Sequence, residues 1–354
     1  MRTGRKSRRK NRKSRGYIVP MCLALSGTLM AGTATAAEPT CLGIITNTYE
    51  NQLQAKNGLQ RVEVDGNTVT LHNIGINNGG WDTNNGGWNN TPNIPDYYYF
   101  TGVDADKKSI IVELEENSNQ GQVRPLYPLR SNADGNSPYE VLIKAKNFRF
   151  SSDFDSNSSG DEKRYNNRGF FADQHGSIIV DVSEKIDLKT GEIPIFANPG
   201  SITIKNFKEL YAVTTGRQDG AGYVVRNVET GEGPSTIRIV GTPDSKIQLI
   251  SEKSSREKET AVVEDASSKG QGTLIQGGSI SIIRNDPKET HSIVMTAHSQ
   301  KEGHIDIEGG QSVTIGSRKG DFAVQAFSKG DGFSTININQ CEFSFQVQGF
   351  GATL

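Results

Sequence analysis

Four segments in the second half of the chain repeat one pattern at nearly constant spacing. Each has a short apolar strand, a polar turn, a glycine and a second segment in which apolar and polar residues alternate. The four segments span residues 223–239, 261–275, 292–307 and 323–338. Their leading apolar residues are 38, 31 and 31 residues apart: Val224, Val262, Ile293 and Val324. Such a repeat indicates a solenoid, because each unit can bury its apolar face only by stacking on its neighbours.

A third alternating segment completes each of the last units, starting at Gly277, at Gly309 and at Phe343. Alternation with period two places Ile and Val on one face of a strand and polar side chains on the other. Three strands in about 31 residues predict the rung of a right-handed parallel β-helix, or β-solenoid, and therefore an all-β fold. A β-sandwich or a β-propeller would also contain many short strands, but the constant spacing over four units favours the solenoid.

The first half of the chain is less regular. Residues 61–76 predict a hairpin that turns at the sequence Asp65-Gly66-Asn67, and residues 108–114 and 140–146 predict further strands. A β-helix needs a cover over its first rung, because an open edge recruits other strands. We therefore divide the chain into a signal peptide (1–36), an irregular β-rich N-terminal cap with the first rungs (37–165) and the regular rungs (166–354).

The first 36 residues have the three parts of a secretory signal peptide. Nine Lys or Arg and no acid lie between residues 2 and 15, an apolar stretch runs from 17 to 30, and small residues follow from 31 to 37. The A-x-A pattern at 34–36 predicts cleavage after Ala36, with Ala37 as the near alternative. A nucleic-acid-binding tail would not explain the apolar stretch. A twin-arginine signal would need apolar residues where Lys10 and Asn11 stand.

Removal of the signal changes the net charge of the chain. It takes nine of 39 basic residues and none of the 40 acidic ones, which leaves 30 against 40. A mature chain near −10 repels nucleic acid and anionic membranes, so neither is an expected partner. Cys41 and Cys341 remain, at opposite ends of the mature chain. In an elongated fold they cannot reach each other, so each is expected to be a lone thiol.

Aromatic residues concentrate between positions 81 and 100. Trp81 and Trp88 lie in a segment rich in Gly and Asn, and Tyr97, Tyr98 and Tyr99 follow. Flat rings among amide side chains suit a glycan-binding surface, because sugar C–H groups stack on the rings while the amides bond the hydroxyl groups. These five residues are the candidate ligand-binding site. The alternative is an apolar lid over the first rung, a task for which large aromatic side chains are well suited.

An acidic loop is the candidate metal site. Asp153, Asp155 and Asn157 place oxygen ligands at alternate positions, and oxygen is the ligand type that Ca²⁺ prefers. Gly160 is the eighth residue of this loop, whereas an EF-hand needs glycine at the sixth position. A solvated acidic loop without metal is the alternative, and no other cofactor is expected.

Catalytic motifs are sparse in the sequence. The five His residues do not form an HExxH motif, and the chain has no GxSxG motif. Asp306, Arg284 and Glu264 carry charges that a polysaccharide-degrading enzyme could use, but we expect all three on solvated faces. The sequence therefore favours a protein without catalytic activity. A pectate-lyase-like β-helix enzyme that degrades polysaccharides is the alternative.

The long basic signal, together with the rungs FAVQAFSKGDGFSTINI (322–338) and IDIEGGQSVTIGS (305–317), resembles the passenger region of Gram-negative autotransporters, which use type V secretion. The resemblance covers the signal and about residues 170–350. It implies export through the general secretory pathway, a β-helical passenger and a place at the cell surface. Autotransporters end in a β-barrel in the outer membrane, and barrel-type segments do not follow the rungs here. We therefore expect an N-terminal fragment of a longer product that continues into further rungs and a barrel.

The sequence thus predicts a secreted or surface-exposed adhesin that binds glycans or proteins of host or bacterial surfaces. This role comes from the resemblance rather than from a site. A purely structural stalk is a further alternative.

Overall fold

The computed structural model describes seventeen stretches of the chain: residues 61–72, 81–82, 87–88, 97–100, 105–113, 129–132, 140–152, 168–215, 222–228, 233–252, 261–267, 272–285, 291–299, 303–317, 321–328, 334–340 and 343–347. Within these stretches nearly all regular structure is β, with one short 3-10 turn at Ala105–Lys107 and no α-helix. The predicted all-β fold is confirmed. No helix in this part of the chain is long and apolar enough to span a bilayer.

The strands, numbered in chain order, have the following bounds: β1 Arg61–Asp65, β2 Thr68–His72, β3 Trp81–Asp82, β4 Gly87–Trp88, β5 Tyr97–Phe100, β6 Ser109–Glu113, β7 Leu129–Asn132, β8 Glu140–Ser152, β9 Phe170–Thr190, β10 Ile195–Lys205, β11 Glu209–Thr214, β12 Val225–Val228, β13 Thr236–Val240, β14 Lys246–Ser251, β15 Val263–Ala266, β16 Gly272–Arg284, β17 His291–Ser299, β18 His304–Ser317, β19 Asp321–Ser328, β20 Thr335–Gln340 and β21 Phe343–Val347. Short strands separated by polar turns are what the alternating runs of the sequence predict.

Parallel pairing joins these strands into three columns. The first column contains β7, the starts of β9 and β10, β12, β15, β17 and β19. The second contains β5, the start of β8, the middle of β9, the end of β10, β13, the starts of β16 and β18, and β20. The third contains β2, β6, the ends of β8 and β9, β11, β14, the ends of β16 and β18, and β21.

One segment from each column, taken in chain order, forms a unit that we call a rung. The described residues contain seven rungs: rung 1 at 129–152, rung 2 at 170–190, rung 3 at 195–214, rung 4 at 225–251, rung 5 at 263–284, rung 6 at 291–317 and rung 7 at 321–347. Neighbouring rungs pair in register, so one side chain lies above its equivalent in the next rung. This stacking places residues some 20 to 40 positions apart in the sequence next to each other.

The core follows the alternation of the sequence. Ile178, Ile202 and Ile237 are register partners on rungs 2, 3 and 4, and all three are fully buried. The next residues along the strands, Ile179 and Thr203 among them, are only half-buried. Alternate side chains of a strand point to opposite faces, so the aliphatic ladder fills the interior and the intervening residues face outward.

The predicted N-terminal hairpin is confirmed. Strands β1 and β2 pair antiparallel, with Val64 opposite Val69, and Gly66 in the turn has a φ of 56°. Glycine adopts this left-handed conformation without the penalty that a β-carbon imposes. Strand β2 then pairs in parallel with β6 and so belongs to the third column.

The predicted alignment of the repeats is correct for the first pair of units and wrong at Ile293. Val225 faces Val263, consistent with pairing of the preceding residues Val224 and Val262. Ile293, however, faces Ala323, and Val324 faces Met295, because the register shifts between Ile293 and Met295. An irregularity of this kind gives one strand an extra residue relative to its partner, and constant spacing in the sequence cannot reveal it.

Candidate functional site on the outer face of the first column

The outward positions of the first column form a continuous ladder. From rung 2 to rung 7 the ladder consists of Phe171, Phe196, Arg226, Glu264, Thr296 and Gln325. Aromatic, basic, acidic and amide side chains therefore follow one another along a single line. This ladder combines two features: an apolar patch outside the main core and a buried carboxylate.

The aromatic part of the ladder is a second apolar cluster, separate from the main core. The rings of Phe171 and Phe196 are stacked, with centroids 4.9 Å apart and an interplanar angle of 15°. Ile193, Tyr223 and Val228 complete the cluster, and all five residues are buried. Burial of this area stabilises the outer wall of the column. Because the rings are covered, they cannot serve as open platforms for a sugar.

Two arginines pack over these rings. The guanidinium carbon of Arg168 lies 4.9 Å from the ring centroid of Phe171 and 4.8 Å from that of Phe196. The guanidinium carbon of Arg226 lies 4.5 Å from the ring centroid of Tyr223. Cations over aromatic faces contribute about 0.5–2 kcal/mol each. The two arginines therefore cover the aromatic cluster, and both of them also form ion pairs.

Glu264 joins three successive rungs through its two carboxylate oxygens. Its Oε2 lies 2.5 Å from Nε of Arg226 on rung 4, and its Oε1 lies 2.9 Å from Nε2 of His298 on rung 6. The side chain of Glu264 is only 5% exposed, whereas those of Arg226 and His298 are 32% and 27% exposed. The carboxylate is therefore sealed between two partners that each keep an edge in solvent. We call this group the three-rung clasp.

The pKa of Glu264 reflects a competition between burial and its partners. Burial by itself would raise the pKa, but the hydrogen bond from His298 and the positive charge of Arg226 outweigh it, so the pKa is lowered. The carboxylate is consequently ionised at neutral pH. An ionised carboxylate only accepts hydrogen bonds, so Nε2 of His298 carries the proton of this bond.

Asp265, the next residue, lies on the inward side and accepts five hydrogen bonds. Its Oδ1 accepts from N and Oγ of Ser267, over 3.1 and 2.7 Å, and from the backbone N of His304, over 3.2 Å. Its Oδ2 accepts from Oγ1 of Thr273, over 2.7 Å, and from Nδ2 of Asn227, over 2.8 Å. The donors belong to rungs 4 and 5 and to the first residue of β18 on rung 6. This group, the Asp265 network, fixes the corner between the first and second columns.

Burial raises the pKa of Asp265, and the hydrogen bonds from Ser267, Thr273 and Asn227 oppose that rise without cancelling it. The network extends one step further, because Oδ1 of Asn227 accepts from Oγ of Ser235 over 2.5 Å. Every polar atom of the Asn227 and Asp265 side chains thus has at least one partner. Buried polar groups are stable inside a protein when each of them has a hydrogen-bond partner, as here.

This arrangement holds neighbouring rungs together through hydrogen bonds and ion pairs. The oxygens of Glu264 and Asp265 are committed to hydrogen-bond donors and to a cation. Among the residues that the structure describes, no group of three or more His, Cys, Asp or Glu side chains could hold a metal ion. The clasp and the network therefore hold rungs 4, 5 and 6 together from the outer and the inner side of one column.

The residues predicted to bind a ligand fall into two sheets. Trp81 and Trp88 face each other in the short antiparallel pair of β3 and β4. Tyr97, Tyr98 and Tyr99 form most of β5, which begins the second column and pairs with β8. The strand pair β3–β4 is separate from the main sheet. The structure therefore brings the two tryptophans together but assigns the tyrosines to a different sheet, and all five side chains lie outside its described part.

The remaining predicted positions also lie outside the described residues. They are the metal-site residues Asp153, Asp155 and Asn157, the cleavage residue Ala36, and the two cysteines Cys41 and Cys341.

The prediction that Glu264 and Arg284 occupy solvated faces is wrong, because they are 4% and 1% exposed. Arg284 follows Ile280 and Ile282 at period two and therefore points inward. It stacks between Ser251 of rung 4 and Ser317 of rung 6, and its Nη1 donates to the backbone oxygen of Ile293 over 3.3 Å. Asp306, by contrast, keeps 30% of its side chain exposed.

Sequence analysis missed Asp265, Arg226 and His298. A signal for the first was present, because Glu264 and Asp265 are adjacent acids in the apolar strand AVVEDA. In a strand with period two, one of two adjacent residues must face inward. The alignment of segments 223–239 and 261–275, offset by 38 residues, already sets Arg226 opposite Glu264. The repeat spacing does not set His298, 34 residues away, against Glu264.

Comparisons of the chain with protein-family models, with curated proteins and with solved structures found no match. Its function is therefore inferred from its residues and their geometry.

Proposed function

We propose that this chain is the passenger region of an autotransporter-like exported protein, built as a right-handed parallel β-helix, and that it acts as an adhesin. It would be secreted or stand at the cell surface. Its partners would be glycans or proteins of host or bacterial surfaces.

The observation that carries the proposal is the parallel, in-register pairing of three columns through seven rungs. One full turn of such a coil joins two parallel strands of the same column, and crossover connections between parallel strands are right-handed in the great majority of proteins. An experimental structure would test the hand directly, because a left-handed coil would contradict this part of the proposal.

Export is supported by the first 36 residues, whose basic, apolar and small-residue regions follow each other in the order of a secretory signal. The exposed surface of the rungs supports an extracellular interaction protein. Lys208 pairs with Glu184 over 2.9 Å, and Lys205 pairs with Asp181 over 3.6 Å, in both cases between rungs. Such long, polar, regularly spaced surfaces are the ones that solenoid proteins use to bind partners.

Cleavage of the signal provides the first test. The full chain would be expressed in a Gram-negative bacterium, and the N-terminus of the exported product would be sequenced. We expect the product to begin at Ala37. An Ala36→Phe variant should accumulate uncleaved, because the signal peptidase requires a small residue at that position. An uncleaved wild-type chain that stays in the cytoplasm would contradict the proposal.

Binding provides the second test. The exported chain would be applied to immobilised polysaccharides and matrix proteins, and the supernatant would be analysed for shortened oligosaccharides. An adhesin should bind saturably and release no product, with a heat-unfolded sample as the control. Release of oligosaccharides would move the function to the polysaccharide-degrading alternative. Absence of binding to every surface would favour a structural stalk.

A further inference from the structure

A second polar group lies on the outer face of the second column, away from the three-rung clasp. His304 and Asp306 are two residues apart on β18, so their side chains project to the same side of the strand. On the next rung, Thr335 faces His304 and Asn337 faces Asp306. A hydroxyl, an imidazole, a carboxylate and an amide therefore meet in one small area.

These side chains form a continuous chain of hydrogen bonds. Nε2 of His304 lies 2.8 Å from Oδ2 of Asp306, and Nδ1 of His304 is hydrogen-bonded to Oγ1 of Thr335. Nδ2 of Asn337 donates to the other oxygen of Asp306 over 3.0 Å. Both oxygens of the carboxylate are thus held, one by the imidazole and one by the amide.

The carboxylate decides which nitrogen of His304 carries the proton. An ionised Asp only accepts hydrogen bonds, so in the neutral imidazole the hydrogen must be on Nε2. Nδ1 then has a lone pair and no hydrogen. The hydroxyl of Thr335 must therefore donate its hydrogen bond to Nδ1. In this position Nδ1 can act as a general base for the hydroxyl proton.

This group is open to solvent. The side chains of His304 and Asp306 are 36% and 30% exposed, and Thr335 is half-buried. A small reagent can therefore approach the hydroxyl from outside. This exposure distinguishes the group from the clasp, whose carboxylate is sealed.

We propose that Thr335 is a nucleophile that takes acyl groups from carboxylic esters, with His304 as its general base and Asp306 as a positioning residue. A hydroxyl, a base within hydrogen-bond reach and a third group that orients the base are the parts of an activated nucleophile. The function of this site is independent of adhesion.

The step balances as follows. Oγ of Thr335 attacks the ester carbonyl carbon while its proton moves to Nδ1 of His304. The tetrahedral adduct collapses, the bond from carbon to the ester oxygen breaks, and the departing alkoxide takes the proton from His304. The products are an acyl ester on Thr335 and a free alcohol. Water, which gives its proton to His304 in the same way, then attacks the acyl carbon. The bond from that carbon to Oγ1 of Thr335 breaks, Oγ1 takes the proton from His304, and a carboxylic acid is released.

The test uses a fluorophosphonate, which traps an activated hydroxyl by forming an oxygen–phosphorus bond and releasing fluoride. Treated full-length protein would be digested, and the labelling rate of each threonine would be measured by mass spectrometry. Thr236 provides the internal control, because it occupies the same outward row on rung 4 but faces Gly272 instead of a histidine. We expect Thr335 to react about 100-fold faster than Thr236, the scale of general-base catalysis.

Two variants separate catalysis from structure. His304→Gln should lower the rate at Thr335 to that of Thr236. In Asp306→Asn, the amide can donate to Nε2, which moves the imidazole proton to Nδ1 and removes the base. This variant should fold, as judged by circular dichroism, and still lose most of the reactivity. Equal rates at Thr335 and Thr236, or a rate at Thr335 that neither variant lowers, would overturn the proposal.

Discussion

Asn227 and Asp265 face each other on adjacent rungs, and the side-chain amide of Asn227 donates to Oδ2 of Asp265 over 2.8 Å. Both side chains are completely buried. The bond links rung 4 to rung 5 inside a column whose buried residues also include apolar side chains such as Phe170, Ile195 and Val225. A polar contact at this place stabilises the fold only while all of its members have partners.

We expect Asp265→Ala to lower the free energy of unfolding by about 3 kcal/mol, because buried donors on Asn227, Thr273 and Ser267 lose their acceptor. Chemical denaturation of the exported chain would measure this loss. Asp244→Ala is the control, since Asp244 is exposed and accepts, within the described part of the chain, a hydrogen bond from the hydroxyl of Thr242. Equal stability of the two variants would contradict the role assigned to the network.

The stability contributed by Asp265 should fall as the pH rises. Burial raises its pKa above the ordinary 3.8, so the folded state binds this proton more tightly than the unfolded state does. The contribution is complete below pH 3.8 and decreases up to the raised pKa. Between pH 4 and 7 the free energy of unfolding of the wild type should therefore fall relative to that of Asp265→Asn. A pH-independent difference would show that the carboxyl titrates normally in the fold.

Glu264 should behave in the opposite way. Its pKa is lowered from the ordinary 4.5, so its ionised form stabilises the fold above that pH, and the contribution is lost as the pH falls through the lowered value. At pH 7 we expect Glu264→Gln to lower the free energy of unfolding by about 2 kcal/mol, because a buried charged partner of Arg226 and His298 is lost, and this loss should vanish in acid. Glu184→Gln removes an exposed pair with Lys208 and should change stability by less than about 1 kcal/mol. A larger loss of stability in Glu184→Gln than in Glu264→Gln would contradict the stronger contribution that we assign to the buried carboxylate.

The alternation of the core can be tested with two neighbouring residues. Ile202→Ala empties a fully buried position and should cost about 3 kcal/mol, since large-to-small changes in a core lose burial and leave a cavity. Ile179→Ala affects a half-buried outward position and should cost about 1 kcal/mol or less, because little buried area is lost there. Thermal and denaturant unfolding of both variants would measure the costs. A reversed order would mean that the strands present the other face to the core.

Gly272→Ala should destabilise the corner before β16 by about 3 kcal/mol, the scale of local backbone strain at such a position. Gly272 has a φ of 72°, and a β-carbon there would lie 2.3 Å from the backbone oxygen of His304. The control is Gly310→Ala, because the nearest atoms to a β-carbon at Gly310 are 3.6 Å away. Comparable stability of the two variants would exclude a special requirement for glycine at position 272.

Much of the fold was predictable from the sequence because it depends on local periodicity. Alternation alone assigns Ile178, Ile202 and Ile237 to the interior, and the Asp65-Gly66-Asn67 sequence alone locates the hairpin. The spacing of the repeats predicts strands that recur as stacked units. These features depend only on side-chain direction in a strand and on local turn chemistry.

The contacts of the candidate site were decided by the tertiary structure. The spacing of the repeats sets Arg226 opposite Glu264 and His304 opposite Thr335. It does not bring His298 to Glu264, whose register partner on rung 6 is Thr296, and it does not show which of these side chains approach to hydrogen-bond distance. A sequence determines which way each side chain points along its own strand. Only the stacked rungs determine which side chains of neighbouring rungs come within hydrogen-bond distance, because that distance depends on the register and on the exact stacking of the strands.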